Sequence, residues 1–159
     1  LDRVLALAHQ DLLTPYVEVK KESYRLGKLV GAGGGGMIFK AKRGNTTYAL
    51  KQCSDQGIVF TSKDEFLTEV SIMSILDHPH VLKCHGANKD FNAPFLVMTM
   101  CPLDLEFLLR PMDGAGAPVP LSFSLKLRIA MEVAEGLAYV HSWGLVHRDI
   151  KSSNVLMDE

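Results

Sequence analysis

At 159 residues the chain is long enough for one domain with a real core, or for part of a larger one. Apolar residues make up 47% and charged residues 22%, an ordinary globular composition that excludes an intrinsically disordered segment. The net charge of −1 gives no support to non-specific binding of nucleic acid or acidic membrane, and no apolar run approaches the roughly 20 residues of a membrane-spanning helix.

The first thirteen residues carry Leu1, Val4, Leu5, Ala8 and Leu12 at helical spacing, which predicts a short amphipathic helix ended by Thr14 and Pro15. The same stretch lacks a basic head and a small-residue cleavage site, so it does not read as a signal peptide. From there to residue 52 the texture is strand and turn: "YRLGKLV", "GAGGGG", "MIFKAKR", a Gly44–Asn45 hairpin turn and "TTYALKQC". Residues 63–77 place Phe66, Leu67, Val70, Met73 and Leu76 on one helical face, with Pro79 just beyond the end. Two apolar runs, "VLKCHG" and "FLVMTM", read as buried strands, and "LDLEFLLR" as a short helix. "PMDGAGAPVP" is a loop by its Gly and Pro content. A broad apolar band from Leu125 to Val140 predicts a long helix that ends near Ser142–Gly144, with Gly144 as a left-handed cap. The order is a β-rich part followed by the start of an α-rich one, an α+β architecture with its boundary near residues 101–104.

"GAGGGGMI" holds G-x-G-x-x-G as Gly31, Gly33 and Gly36. Alone the pattern is weak: glycines let backbone N–H groups approach a phosphate in several folds, and a ligand-free glycine hairpin is the bland alternative. A dinucleotide site is one candidate, and Asp55 lies about 20 residues downstream, where that site places its acid. Such a fingerprint must open into a helix, however, whereas Gly36 runs into the strand-like "MIFKAK" and only eleven residues separate it from Tyr48. Lys51 in "YALK" then adds weight to a phosphate-binding reading. A mid-strand lysine among apolar neighbours is costly unless paired, and Glu69 on the following helix is the partner expected for it.

The last fourteen residues, "VHRDIKSSNVLMDE", bring chemistry together. A loop acid such as Asp149 can accept or orient the proton of a hydroxyl. The side-chain oxygen of Asn154 suits magnesium, and Lys151 can neutralise charge on a transferring phosphate. H-R-D-x-x-x-x-N after a long helix, downstream of a glycine loop and a paired lysine, is a specific signal.

Together these motifs resemble the eukaryotic protein kinase family: "GAGGGGMI" for the glycine loop, "YALK" for the strand lysine, "FLTE" for the helix-C glutamate and "HRDIKSSN" for the catalytic loop. The segment from Leu125 onward is similar to the tyrosine kinase-like serine/threonine group, and Lys151 follows the serine/threonine pattern. The resemblance implies a protein-kinase-like α+β fold. Its parts would be a five-stranded antiparallel N-lobe with helix C, then the first helices and catalytic loop of a truncated C-lobe. The division implied is 1–22 as an N-terminal extension, 23–101 as N-lobe and hinge, and 102–159 as partial C-lobe. It implies ATP and Mg²⁺ as cofactors and a protein Ser/Thr hydroxyl as acceptor, while the near-neutral charge leaves nucleic acid off the expected partners. Gly31, Gly33 and Gly36 would cover the phosphates, and Lys51, held by Glu69, would contact them. Val30, Ile38 and Ala49 would roof the adenine and Leu156 floor it. Met98 would be the gatekeeper, and Thr99, Met100 and Cys101 the hinge. Asp149 would be the catalytic base or orienter, Lys151 would meet the γ-phosphate, and Asn154 would bind the metal.

Several features depart from that pattern or offer other readings. The sequence given ends before any D-F-G, so this polypeptide by itself is expected to have little kinase activity, and most of what would bury the 125–141 helix is absent from it. Gly35 stands where the family places an aromatic loop tip, at an ordering cost of about 1 kcal/mol. "DHPHVLKCHG" offers His78, His80, Cys84 and His85 as a metal cluster, yet alternation along a turn and strand would scatter them. His141 and Trp143 are expected to pack at a helix end, and His147 to be a packed structural histidine. The cysteines, Cys53, Cys84 and Cys101, are odd in number and irregular in spacing, as expected of free thiols in a reducing, cytoplasmic setting, although a longer protein could be membrane-attached through other regions. The competing functions are a pseudokinase or nucleotide-binding interaction module and, on a related fold, a small-molecule phosphotransferase.

Overall fold

A computed structural model describes residues 17–33, 36–55, 58–59, 61–88, 90–110 and 120–158. The helix expected over residues 1–13, the loop tip Gly34–Gly35 and most of the Gly/Pro-rich stretch after Arg110 lie outside them.

β1 (Arg25–Gly33), β2 (Gly36–Arg43) and β3 (Thr46–Gln52) make an antiparallel meander. Its second turn is the predicted Gly44–Asn45 hairpin, with Gly44 at φ 59°, where a residue with a Cβ would be strained. A small ribbon, β4 (Ser54–Asp55) and β5 (Ile58–Val59), leads to helix α1 (Lys63–Ile75). β6 (Cys84–Ala87) and β7 (Phe95–Thr99) complete a five-stranded sheet of order β1–β2–β3–β7–β6, with every neighbouring pair antiparallel.

Strand alternation divides the sheet's side chains between two faces. On one face Val19, Tyr24, Ala41, Leu50, Phe95 and Val97 form a buried cluster. On the other, Cys53, Cys84, Ala87 and Leu96 pack with Phe66 and Val70 of α1. The helical face read from the sequence is the buried one: Phe66 and Val70 are almost fully enclosed, Leu76 is buried at the C-cap, and Met73 packs at the edge.

The remaining elements are β8 (Leu103–Asp104), α2 (Leu105–Leu109), α3 (Phe123–Ser142), a 3₁₀ turn (Ser152–Asn154) and β9 (Leu156–Met157), which pairs antiparallel with β8. The short helix starts at Leu105 because Leu103 and Asp104 are taken by β9, and Asp104 Oδ1 then caps the helix by accepting from the Phe107 N–H at 2.7 Å. α3 ends as its glycine predicted. Gly144 has φ 72°, its N–H bonds the His141 carbonyl, and the Leu145 N–H bonds the Val140 carbonyl, the paired 5→2 and 6→1 bonds of a Schellman motif. Ile129 and Gly136 are the buried residues of α3, whereas Phe123, Leu127 and Met131 of its apolar band are exposed.

Two units divide the chain. The first runs to Asp77 and includes Leu82–Met100; the second comprises His78–Val81 and the residues from Cys101 onward. No helix among the described residues is long and apolar enough to cross a membrane.

Candidate functional site

The first unit holds the glycine hairpin and the lysine. Gly33 and Gly36 face each other at the β1–β2 turn, and Gly36 has φ 131°, a conformation reserved for glycine. A Cβ there would overlap the Gln52 carbonyl oxygen, so the hairpin closes directly on β3 one residue from Lys51. Gly31 pairs with Ile38, and Ile38 with Lys51. On β3, Lys51 lies between Ile38 of β2 and Leu96 of β7, and Ala49 between Lys40 and Met98. Ile38, Ala49, Lys51 and Met98 therefore alternate away from Leu50 and Val97 of the opposite cluster. Ala49 and Met98 are buried, whereas Val30 stays 42% exposed on the first strand, leaving apolar surface for a partner to cover.

Lys51 Nζ lies 2.6 Å from Glu69 Oε1, with both side chains half-buried. Helix α1 delivers that carboxylate through a reciprocal cap. Ser62 Oγ accepts from the Glu65 N–H, and Glu65 Oε2 accepts from the Ser62 N–H. The backbone N–H of Ser62, with its hydroxyl, holds the Glu65 carboxyl below its usual range. The sequence carries this signal as S-x-x-E at Ser62–Glu65, one turn before Glu69, where apolar periodicity alone does not mark it. Beside the ion pair, burial pushes the Cys53 thiol up to about 11; Lys51 opposes that rise and Glu69 adds to it. The thiol stays protonated at neutral pH and is no nucleophile.

Thr99 ends β7 with its N–H donated to the Lys83 carbonyl and its hydroxyl 3.0 Å from His85 Nε2. Of the three expected hinge residues, Met100 and Cys101 lie past the strand, so any backbone donor for a base falls to them. Cys101 is half-buried, and its pKa is raised by burial and by the charge of Asp158.

The second unit holds the loop acid. Arg148 has φ 65°, the one non-glycine residue with positive φ among the described residues, and the strained turn sits immediately before Asp149. Asp149 Oδ2 accepts from Lys151 Nζ at 2.9 Å and from Asn154 Nδ2 at 2.9 Å, and the same amide bonds the Asp149 carbonyl at 2.8 Å. Lys151 first, then Asn154, holds the Asp149 carboxyl below its usual range, so it is an anion at neutral pH. With its NH₂ group committed, Asn154 has its amide oxygen as the group fit for a hard cation. Beyond the 3₁₀ turn, the Leu105 N–H bonds the Val155 carbonyl, and Leu156 pairs with Asp104 at 43% exposure.

His147 departs from its expected packing. It is exposed, and its Nδ1 accepts the Asp149 N–H at 3.3 Å. Trp143, also expected to pack, is 45% exposed, with its ring 6.4 Å from that of Tyr139. Within the His/Cys cluster, His78 and His80 stay adjacent, with ring centroids 5.5 Å apart. His78 stacks on Tyr139, His80 Nε2 lies 3.3 Å from Glu135, Cys84 is buried, and His85 meets Tyr48. No group of three His, Cys, Asp or Glu side chains among the described residues could hold a metal.

A glycine hairpin against a Lys–Glu pair, and an acid–lysine–asparagine loop after a long helix, are the two halves of the motif set read from the sequence. The protein kinase domain family matches residues 24–159. This chain is a member of the protein kinase family. Among curated kinases it is 32% identical, over 165 residues, to a "Probable LIM domain-containing serine/threonine-protein kinase" of Dictyostelium discoideum, covering 99% of this chain and 24% of that one. It is 34% identical, over 148 residues, to the wall-associated receptor kinase-like 20 of Arabidopsis thaliana, covering 89% and 22%. The kinase segment spans between 11% and 24% of the length of the first relatives it matches. The fold expected of the family, a five-stranded antiparallel sheet with its helix and the start of a helical part, is the fold observed.

Proposed function

We propose that the chain is the nucleotide-binding and catalytic-loop part of a serine/threonine protein kinase of the tyrosine kinase-like group. Its reaction would be phosphoryl transfer from MgATP to a protein hydroxyl. The observation that carries this reading is the Lys51–Glu69 pair at 2.6 Å, one residue from the strand carbonyl on which the glycine hairpin closes. A lysine fixed by a carboxylate beside a glycine hairpin suits phosphate oxygens, because its charge is positioned before the ligand arrives.

MgATP, when bound, supplies the phosphoryl group and the divalent charge that offsets its anionic oxygens. The chain's own residues divide the remaining work. Gly31, Gly33 and Gly36 bring backbone amides to the phosphates. Lys51 binds their oxygens, and Glu69 keeps its ammonium in place. On the first unit Val30, Ile38 and Ala49 offer apolar surface suited to a base, with Met98 beside Ala49 and Met100 past the strand as a backbone partner. On the second unit Cys101 and Leu156 are the residues that the family resemblance assigns to the base. Asp149, an anion positioned by Lys151 and Asn154, orients the acceptor hydroxyl and takes up its proton. Lys151 would neutralise charge on the transferring group, and Asn154 would hold the metal through its amide oxygen. The serine/threonine assignment is supported by Lys151 two positions after Asp149 and by the relatives' names. A reducing, cytoplasmic setting goes with three free thiols.

Thermal unfolding of the 159-residue chain with and without ADP and magnesium tests the reading. A magnesium-dependent rise in Tm that Lys51→Ala removes supports it. Stabilisation that ignores Lys51, or none at all, favours the interaction-module alternative. In a polypeptide that transfers phosphate, Asp149→Ala should cost about 10²–10⁴-fold in kcat.

A further inference from the structure

The family match starts at residue 24, yet the fold begins earlier. Val17–Val19 runs parallel to β6, with the Val19 N–H donated to the Ala87 carbonyl at 3.0 Å and the Ala87 N–H to the Val17 carbonyl at 3.1 Å. This closes the free edge of β6, which would otherwise present unpaired backbone groups. Gly86 makes the approach possible. It has φ 148°, and a Cβ there would overlap the Val17 carbonyl oxygen and lie 2.7 Å from Val19 Cγ1.

From that edge the chain crosses one face of the sheet. Val19 is buried in the cluster with Leu50, Phe95 and Val97; a 3₁₀ turn (Lys21–Ser23) follows, and buried Tyr24 leads into β1 at the opposite edge. Partway across, Lys21 Nζ donates to Gln52 Oε1 at 2.8 Å, and Gln52 Nε2 donates to the Ser54 carbonyl at 2.6 Å. Gln52 follows Lys51 directly, its carbonyl is the surface on which Gly36 closes, and the next amide, Cys53 N–H, ties β3 to Pro94 at 2.8 Å.

We infer that residues 17–24 are a strap that fastens both edges of the sheet and, through Lys21–Gln52, holds the Lys51 end of β3, so that releasing the N-terminal flank loosens the phosphate-binding lysine. The folded unit then begins no later than Val17, and the expected boundary at residues 22–23 cuts through the strap. The regulatory half of the inference rests on the nucleotide reading above; the mechanical half does not.

Amide hydrogen exchange on the 159-residue chain, with MgADP affinity measured in parallel, separates the two. Gly86→Val should speed exchange at both Ala87 and Cys53 by about tenfold while the mid-helix amides of α3 stay protected. Lys21→Ala, which removes only a side-chain bond, should leave Ala87 unchanged, speed Cys53 and weaken MgADP binding; Lys21→Arg, still a donor to Gln52, should restore both. If Cys53 is unaffected by Lys21→Ala, the coupling is wrong, whatever Gly86→Val does to the fold. If the exchange pattern appears and the unsubstituted chain binds no MgADP, the strap stands and the nucleotide reading falls. If MgADP binds but the pattern is missing, the strap alone falls.

Discussion

Asp149 is well exposed in its loop, yet its carboxylate is held by a lysine and an amide at hydrogen-bonding distance. Those bonds stabilise the anion, so the folded pKa lies below the ordinary value of 3.8, with Lys151 the largest cause and Asn154 the next. For a carboxylate with a depressed folded pKa, the contribution to stability is fully present above the unfolded value and is lost as pH falls through the folded one. Carboxyl NMR titration should therefore give Asp149 a midpoint below the ordinary value, which Lys151→Ala moves upward and Asn154→Ala moves upward as well. A midpoint indifferent to Lys151→Ala would mean the ion pair does not form in solution. The roles proposed for these residues were legible in sequence because each one's chemistry is local: an acid, a base and an amide within six positions. Lys51 and Glu69 were legible for another reason. A lysine among strand apolars must find a carboxylate, and the helical period placed one candidate beside the buried face of α1. Thr99 was not legible as an amide already spent on Lys83, because that bond is made by strand register between distant segments.

At the scale of elements, Gly136 shows what periodicity hides. Within "AEGLAYVH" it is one weak helix former inside a strong helix, and nothing in the heptad pattern marks it. It is buried because the His78–Val81 turn lies against α3 at that point: a Cβ on residue 136 would sit 2.5 Å from the His80 carbonyl oxygen. The neighbouring contacts fasten the same turn, with His78 stacked on Tyr139 at 4.9 Å between ring centroids and His80 paired with Glu135. Propensity alone would make Gly136→Ala stabilising by about 1 kcal/mol. The clash acts against it through backbone, which cannot swing aside as a side chain can, and overpacking of that kind costs about 1–3 kcal/mol. Gly136→Ala should therefore lower the urea midpoint with the m-value unchanged, while Ala138→Gly on the exposed side should lower it through propensity alone. A stabilised Gly136→Ala would mean the turn is not seated on the helix. The histidines of this turn looked like metal ligands in sequence for the same reason that Gly136 looked idle: their partners lie more than fifty residues away.

Across the whole molecule, elements that cover each other's apolar faces in the first unit contrast with α3, where Phe123 is 80% exposed and Leu127 and Met131 about half exposed. Positions 123, 127 and 131 recur every four residues, so the three side chains form one stripe along the helix. Arg128, Glu132 and Glu135 line the same surface groove with Leu127 and Met131, and their mixed signs give it little net field. A net charge of −1 adds almost no long-range repulsion between copies of the chain. A contiguous apolar patch and a near-neutral chain together favour association, against the single excess negative charge that Glu132 and Glu135 leave over Arg128 in the groove. Sedimentation velocity on the 159-residue chain should show a weight-average mass that rises with concentration and rises further in ammonium sulfate, which strengthens apolar burial. Salt that screened an electrostatic contact would do the opposite. The double substitution Leu127→Glu with Met131→Glu should return the chain to a monomer without lowering its unfolding midpoint, since neither side chain is enclosed. A chain that stays monomeric at every concentration, or a double variant that associates as before, would place the sticky surface elsewhere than on α3.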